Sequence, residues 1–169
     1  MNSNLNPNHN GVKTMKIRTK IAAALTLAAV TGAAFAQQAL KPEEMIKFRK
    51  AGYSFMSWNM GKIKANLEGT YNKEQVSAAA NLIAATANSG MGALFGPGTD
   101  KAVGGQSTRV KPEFFKEQDK VRELALAYIK ETNELQKVAA TGDAAAVKVQ
   151  FGKTGESCKA CHDKYRKDD

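Results

Sequence analysis

Between residues 42 and 68 apolar positions recur at steps of three and four: Met45, Gly52/Tyr53, Met56, Met60, Ile63 and Leu67, with Arg49 on the same seam. A period near 3.5 buries one stripe of a helix. Pro42 suits a first turn, Glu43 and Glu44 suit the positive end of a helix dipole, and Gly69 marks the end. A second helix is predicted from Asn72, a capping residue with Gln75 at capping-box spacing, and carries Val76, Ala79/Ala80 and Ile83 as far as Asn88-Ser89-Gly90. A long connection with Phe95-Gly96-Pro97-Gly98-Thr99 and Gly104-Gly105 follows, and its length implies that it covers something. A third helix is predicted from Pro112 to about Ala140, with Phe115, Leu124, Ala127/Tyr128, Leu135 and Val138 inward. At about 43 Å it is long for so small a protein, so a bend or a frayed turn is expected near one end. Thr141-Gly142 breaks it, and Asp143 caps a fourth helix to about Lys167. Short connections make antiparallel neighbours. The pattern is all-α, an antiparallel up-down-up-down four-helix bundle.

The first 36 residues do not share this pattern. Residues 1–14 form a polar, Asn-rich extension without periodicity, and Met15 opens a better start. Lys16, Arg18 and Lys20 precede the short apolar run Ile21 to Val30, and Ala34-Phe35-Ala36 is a small-x-small cleavage signal. Residues 15–36 therefore read as a secretory signal peptide cleaved after about Ala36. The run is too short for a comfortable membrane span. The expected product is residues 37–169, periplasmic and without a membrane anchor.

Setting the leader aside changes the charge. The chain of 169 residues has a net charge of +9, but the leader holds Lys13, Lys16, Arg18, Lys20 and no acids. The remainder has 21 bases against 16 acids, a net of +5. These bases are scattered among acids, the habit of solvated helix faces, and no basic block interleaved with aromatics points to nucleic acid. His9 lies in the leader, so one histidine is left and any site needing two imidazoles is excluded.

That histidine stands in Cys158-Lys159-Ala160-Cys161-His162, the C-x-x-C-H signature of covalent haem c attachment. On a helix the two thiols share a face and can each add to one vinyl group of a porphyrin edge, while His162 is held to meet the iron. A thioredoxin-like motif would want a βαβ context, a structural zinc site needs four ligands, and a disulfide would not explain His162. Gly155 and Gly152 precede the motif by one and two turns. Close approach of another helix or of the macrocycle would account for them, and so would simple tolerance.

The last helix, with Phe151-Gly152, Gly155, Ser157 to Asp163 and Tyr165-Arg166-Lys167, resembles the C-terminus of the cytochromes c′. Lys41-Pro42-Glu43 with Phe48-Arg49 is similar to that family's first helix, and Phe95 to Thr99 to its long loop. The resemblance implies a haem iron with one proximal histidine and an empty distal side, nitric oxide and carbon monoxide as ligands, electron transfer with an unidentified periplasmic redox partner, and frequent pairing into homodimers.

By the same resemblance Tyr53 occupies the distal position, as a bulky shield over the iron. Met56, one turn on, either packs beside the porphyrin or ligates the iron, and the latter would make the protein a low-spin Met/His electron carrier. Arg49 either meets a haem propionate or snorkels off the seam. Arg166, four residues after His162, either flanks the proximal pocket or is an exposed charge at the helix end. Phe48, Phe55 and Trp58 lie on another stripe, suited to a dimer through the first helix or to packing against the second. With no second histidine for acid–base work, the reading is a binding and redox protein, not an enzyme.

Overall fold

The computed structural model describes residues 39–168; the expected extension (1–14) and signal peptide (15–36) lie outside the described residues. Four α-helices follow one another: α1 Pro42–Glu68, α2 Lys73–Ala87, α3 Gln118–Thr141 and α4 Ala144–Tyr165. Local chemistry sets most of their ends. Glu44 accepts the Lys41 amide at 2.9 Å, so the first turn of α1 is closed by its own acid. Asn72 caps α2 by accepting the Gln75 amide at 2.9 Å. The return half of the expected capping box is not made. The Asn72 amide instead donates to Asn66, whose own amide nitrogen donates to Gln75, so the α1–α2 turn is tied by Asn66. Asp143 caps α4 through the Ala145 and Ala146 amides, and Gly142 ends α3 with φ of +84°, a left-handed conformation natural to glycine.

Two predicted boundaries move. Pro112 does not begin the third helix. Pro112–Phe115 is a separate 3-10 turn, and α3 starts only at Gln118 because Glu117 is off helical geometry (φ −105°, ψ 50°). The fourth helix stops at Tyr165 because Arg166 turns extended and bridges Val110. The amides of Lys111 and Lys167 donate to Tyr165 and Arg109, which stitches the end of α4 to the long connection.

The core gathers Ile63 of α1, Val76, Ala79, Ala80 and Ile83 of α2, Leu135 and Ala139 of α3, and Val147 of α4. The buried seam of α1 runs through Ile46, Arg49, Met56, Asn59, Ile63 and Asn66; Met45, Met60 and Leu67 are only half-buried. Asn59 and Asn66 tolerate burial because their amide nitrogens donate to the carbonyls four residues back. Ala127 on α3 is exposed, not inward. A side chain at Gly52 would strike Met91, so here absence of a Cβ lets the long connection sit close on α1.

Helix packing is uneven. α1 packs on α2, α2 on α3 and α3 on α4 along their lengths, but α1 and α4 meet at only a few points. Among the described residues the bundle is closed on three sides and open on the fourth.

Candidate haem-binding site

The open side is where the chemistry collects. Cys158 and Cys161, three residues apart on α4, are half-buried with free thiols. Burial pushes both thiols above the ordinary cysteine range, so they stay protonated, the form that adds across a vinyl group. Across the opening stands Tyr53 of α1. It retains 39% exposure although it is on the inward side of the helix. Burial of its hydroxyl, with both cysteines nearby, pushes its pKa up to about 12. Tyr128 of α3 shares this environment: burial raises its pKa as well, with Cys158 and Tyr53 as its titratable neighbours. Its hydroxyl donates to the Met56 sulfur at 2.8 Å. The helical spacing placed Tyr128 inward, but nothing in the sequence pairs it with a methionine 72 positions away.

His162 is exposed at the end of α4. Partial burial, then the Arg109 charge, hold its pKa below the usual range, which favours the neutral imidazole that ligates iron. Arg166 lies on the same face, with a guanidinium nitrogen 3.5 Å from His162 Nδ1. Gly152 and Gly155 have open space where a Cβ would stand, so no helix approach among the described residues requires them.

Arg49 is 3% exposed, so it does not snorkel off the seam. Its terminal nitrogens donate to the Leu94 carbonyl at 3.2 Å, the Thr99 hydroxyl at 2.8 Å, the Thr99 carbonyl at 2.6 Å and the Thr108 hydroxyl at 2.5 Å. The guanidinium carbon lies 4.7 Å from the Phe95 ring centre. These partners are neutral loop groups, so a propionate is left the Nε–H or a shared hydrogen. Arg49 therefore pins the long connection, and with it Phe95, whose ring meets Tyr53 edge-on at 6.3 Å and stacks on Phe114 at 4.5 Å. Phe114 in turn meets Tyr165 at 5.6 Å. An aromatic chain thus runs from Tyr53 to the end of α4, and sequence spacing alone does not reveal it.

A flat, mostly apolar group bonded to α4 and reaching toward Tyr53 fits this opening. The sequence profile described as Cytochrome C' matches residues 44–166. The chain belongs to the cytochrome c′ family. It is 64% identical over 127 residues to the cytochrome c′ of Allochromatium vinosum, covering 75% of this chain and 82% of that one. The crystal structure of cytochrome c′ from Thermochromatium tepidum superposes with a TM-score of 0.75 at 61% identity, covering 77% of this chain and 99% of that one. A cytochrome c′ with ligand-controlled dimer dissociation superposes at 0.76 with 63% identity, covering 76% and 98%. Cytochrome c′ variants of Alcaligenes xylosoxidans with bound nitric oxide and carbon monoxide superpose at 0.67, at 27% and 28% identity, each covering 76% and 98%. As a cytochrome c′, the chain is a four-helix haem c protein with the group covalently bound.

The Arg49 clamp yields a test. Arg49→Met keeps the length and removes every donor, leaving buried acceptors at Leu94 and Thr99 unpaired. Stability should fall by about 2–4 kcal/mol in denaturant unfolding, and limited proteolysis should open the chain between residues 94 and 108. Arg49→Lys should recover only part, because a point charge cannot serve four acceptors in a fork.

Proposed function

We propose that Cys158 and Cys161 carry the haem through thioether bonds, that His162 is the iron's protein ligand, and that the distal side is vacant under Tyr53. The observation that carries this reading is the placing of both thiols and Tyr53 on the one open side of the bundle. When bound, the haem supplies an iron that cycles between ferric and ferrous and takes a diatomic ligand. The protein's part is to hold, shield and select.

Tyrosine ligates ferric iron as phenolate, as in catalase. The Tyr53 ring is packed edge-on against Phe95 at 6.3 Å, which supports a shield and not a ligand. The sulfur of Met56 is engaged by Tyr128 and the residue is 5% exposed, which supports packing over ligation. Among the described residues the one histidine is His162, so no distal histidine stabilises polarised dioxygen. Nitric oxide and carbon monoxide need such a donor far less, and both occupy the Alcaligenes xylosoxidans relatives. Arg166 flanks the proximal side beside His162. Arg49, as a buried cation among neutral partners, directs its remaining capacity to a propionate.

The protein so described is a periplasmic gas-binding and electron-carrying haem protein with no turnover of its own, released by cleavage after about Ala36. It pairs through α1. Phe48, Phe55 and Trp58 are 47%, 48% and 55% exposed on one stripe, Phe55 stacks on Trp58 at 5.5 Å, and Lys62 lies 3.8 Å above the Trp58 ring. Tyr53 is on the same helix, so a ring displaced by a gas ligand acts on the element that forms the dimer. A relative has a dimer that dissociates under ligand control.

Intact-mass measurement of exported protein should give residues 37–169 plus one haem; a retained leader would refute the processing. The distal assignment is tested by stopped-flow carbon monoxide binding to the ferrous protein. Tyr53→Ala should speed association tenfold or more, since each ~1.4 kcal/mol off a barrier is about tenfold. Tyr53→Phe keeps the bulk and should change association little. Unchanged association in Tyr53→Ala would mean that another residue guards the iron.

A further inference from the structure

We infer that Tyr128 is a positioning residue that keeps the iron five-coordinate by holding the Met56 thioether away from it. The inference rests on the vacant-distal-site reading above and goes beyond it, because it names what preserves the vacancy.

A thioether is a natural haem iron ligand, and Met/His ligation both fills the sixth position and raises the potential. Met56 is three residues after Tyr53, one turn along the same helix, and is buried in the seam. Methionine is unbranched and flexible, so burial alone does not fix where its sulfur points. The neighbouring methionines are fixed differently: the Met91 sulfur lies against Gly52 and the Met45 sulfur against Gly96, each at a position where a Cβ would collide with it. Met56 has no such glycine seat. Its sulfur is held instead by the Tyr128 hydroxyl at 2.8 Å.

Tyr128 is suited to the task. It projects from the middle of α3, a different helix from the one it restrains, so the restraint does not move with α1. Its hydroxyl senses both Cys158 and Tyr53, which places it beside the haem-attachment edge and the distal ring together. Burial keeps it protonated, so it is a donor at all working pH values. A thioether sulfur offers only weak lone-pair acceptance. Donation into it both orients the side chain and competes for the electrons an iron would use. Loss of the hydroxyl alone removes this hold while leaving the aromatic packing in place.

The test uses holoprotein and reads spin state. In ferric Tyr128→Phe, visible and EPR spectra should show the low-spin fraction rising at least several-fold over wild type, with a higher reduction potential and slower carbon monoxide binding to the ferrous form. Tyr128→Phe combined with Met56→Leu should return the iron to high spin. Tyr128→Leu, which also lacks the hydroxyl, should shift in the same direction as Tyr128→Phe. A Tyr128→Phe protein that stays high-spin overturns the inference, as does a shift confined to Tyr128→Leu, which would assign the effect to ring bulk. Low spin persisting in the double variant would show that the incoming ligand is not Met56, and overturns it too. A wild type that is itself low-spin defeats the vacant-site reading first; a high-spin wild type with an unchanged Tyr128→Phe defeats the inference alone.

Discussion

Between α1 and α4 the bundle lacks the lengthwise packing that joins its other neighbouring helices, and much of the site's organisation follows from that separation. Helices that bury an apolar stripe need a partner along it. On three sides the partner is another helix. On the fourth, the facing residues are two cysteine thiols, a tyrosine with an exposed ring and a methionine held from a third helix. A covalently attached macrocycle would answer this constraint, supplying apolar surface to the stripe and, through the α4 thiols, a bond to that helix.

The long connection between α2 and α3 is organised around the same opening. Its backbone and hydroxyls are gathered on Arg49, and the gathered loop presents Phe95 to Tyr53. Arginine is suited to this because a planar fork of donors can serve several acceptors from one buried point. A fully buried guanidinium among neutral groups carries an uncompensated charge. That charge favours an anion nearby, and in a haem protein the propionates are the anions available. One residue thus joins the long connection to the ring of Phe95 and, through it, to Tyr53. On the other side of the opening, Phe114 and Tyr165 continue the aromatic contact to the turn that ends α4, a few residues from His162.

What could be read in the sequence was what depends on spacing along one element. Cys158, Cys161 and His162 are neighbours, and Asp143 and Asn72 cap helices that begin beside them. Pro42 and Gly69 bound α1 as expected. What escaped depends on groups far apart in the chain. Arg49 finds its acceptors 45 to 59 residues away, and Met56 meets a hydroxyl 72 residues away. No periodicity encodes such partners. Asn59 and Asn66 escaped for another reason: a polar residue on a seam reads as a break in the pattern, yet each satisfies its amide on its own helix and so can be buried. The start of α3 was misplaced because proline at 112 is compatible with a 3-10 turn as well as with an α-helix, and the choice was made downstream, where Glu117 leaves helical geometry and accepts the Tyr165 hydroxyl.

The central claim is an iron with one protein ligand and a shielded but vacant distal face. EPR and visible spectra of the ferric and ferrous wild-type protein test it most directly, because they report coordination number without any substitution. The account predicts a ferric iron that is high-spin, and a ferrous iron that is high-spin and five-coordinate. A low-spin, six-coordinate signature in both oxidation states would contradict it and return Met56 to the iron.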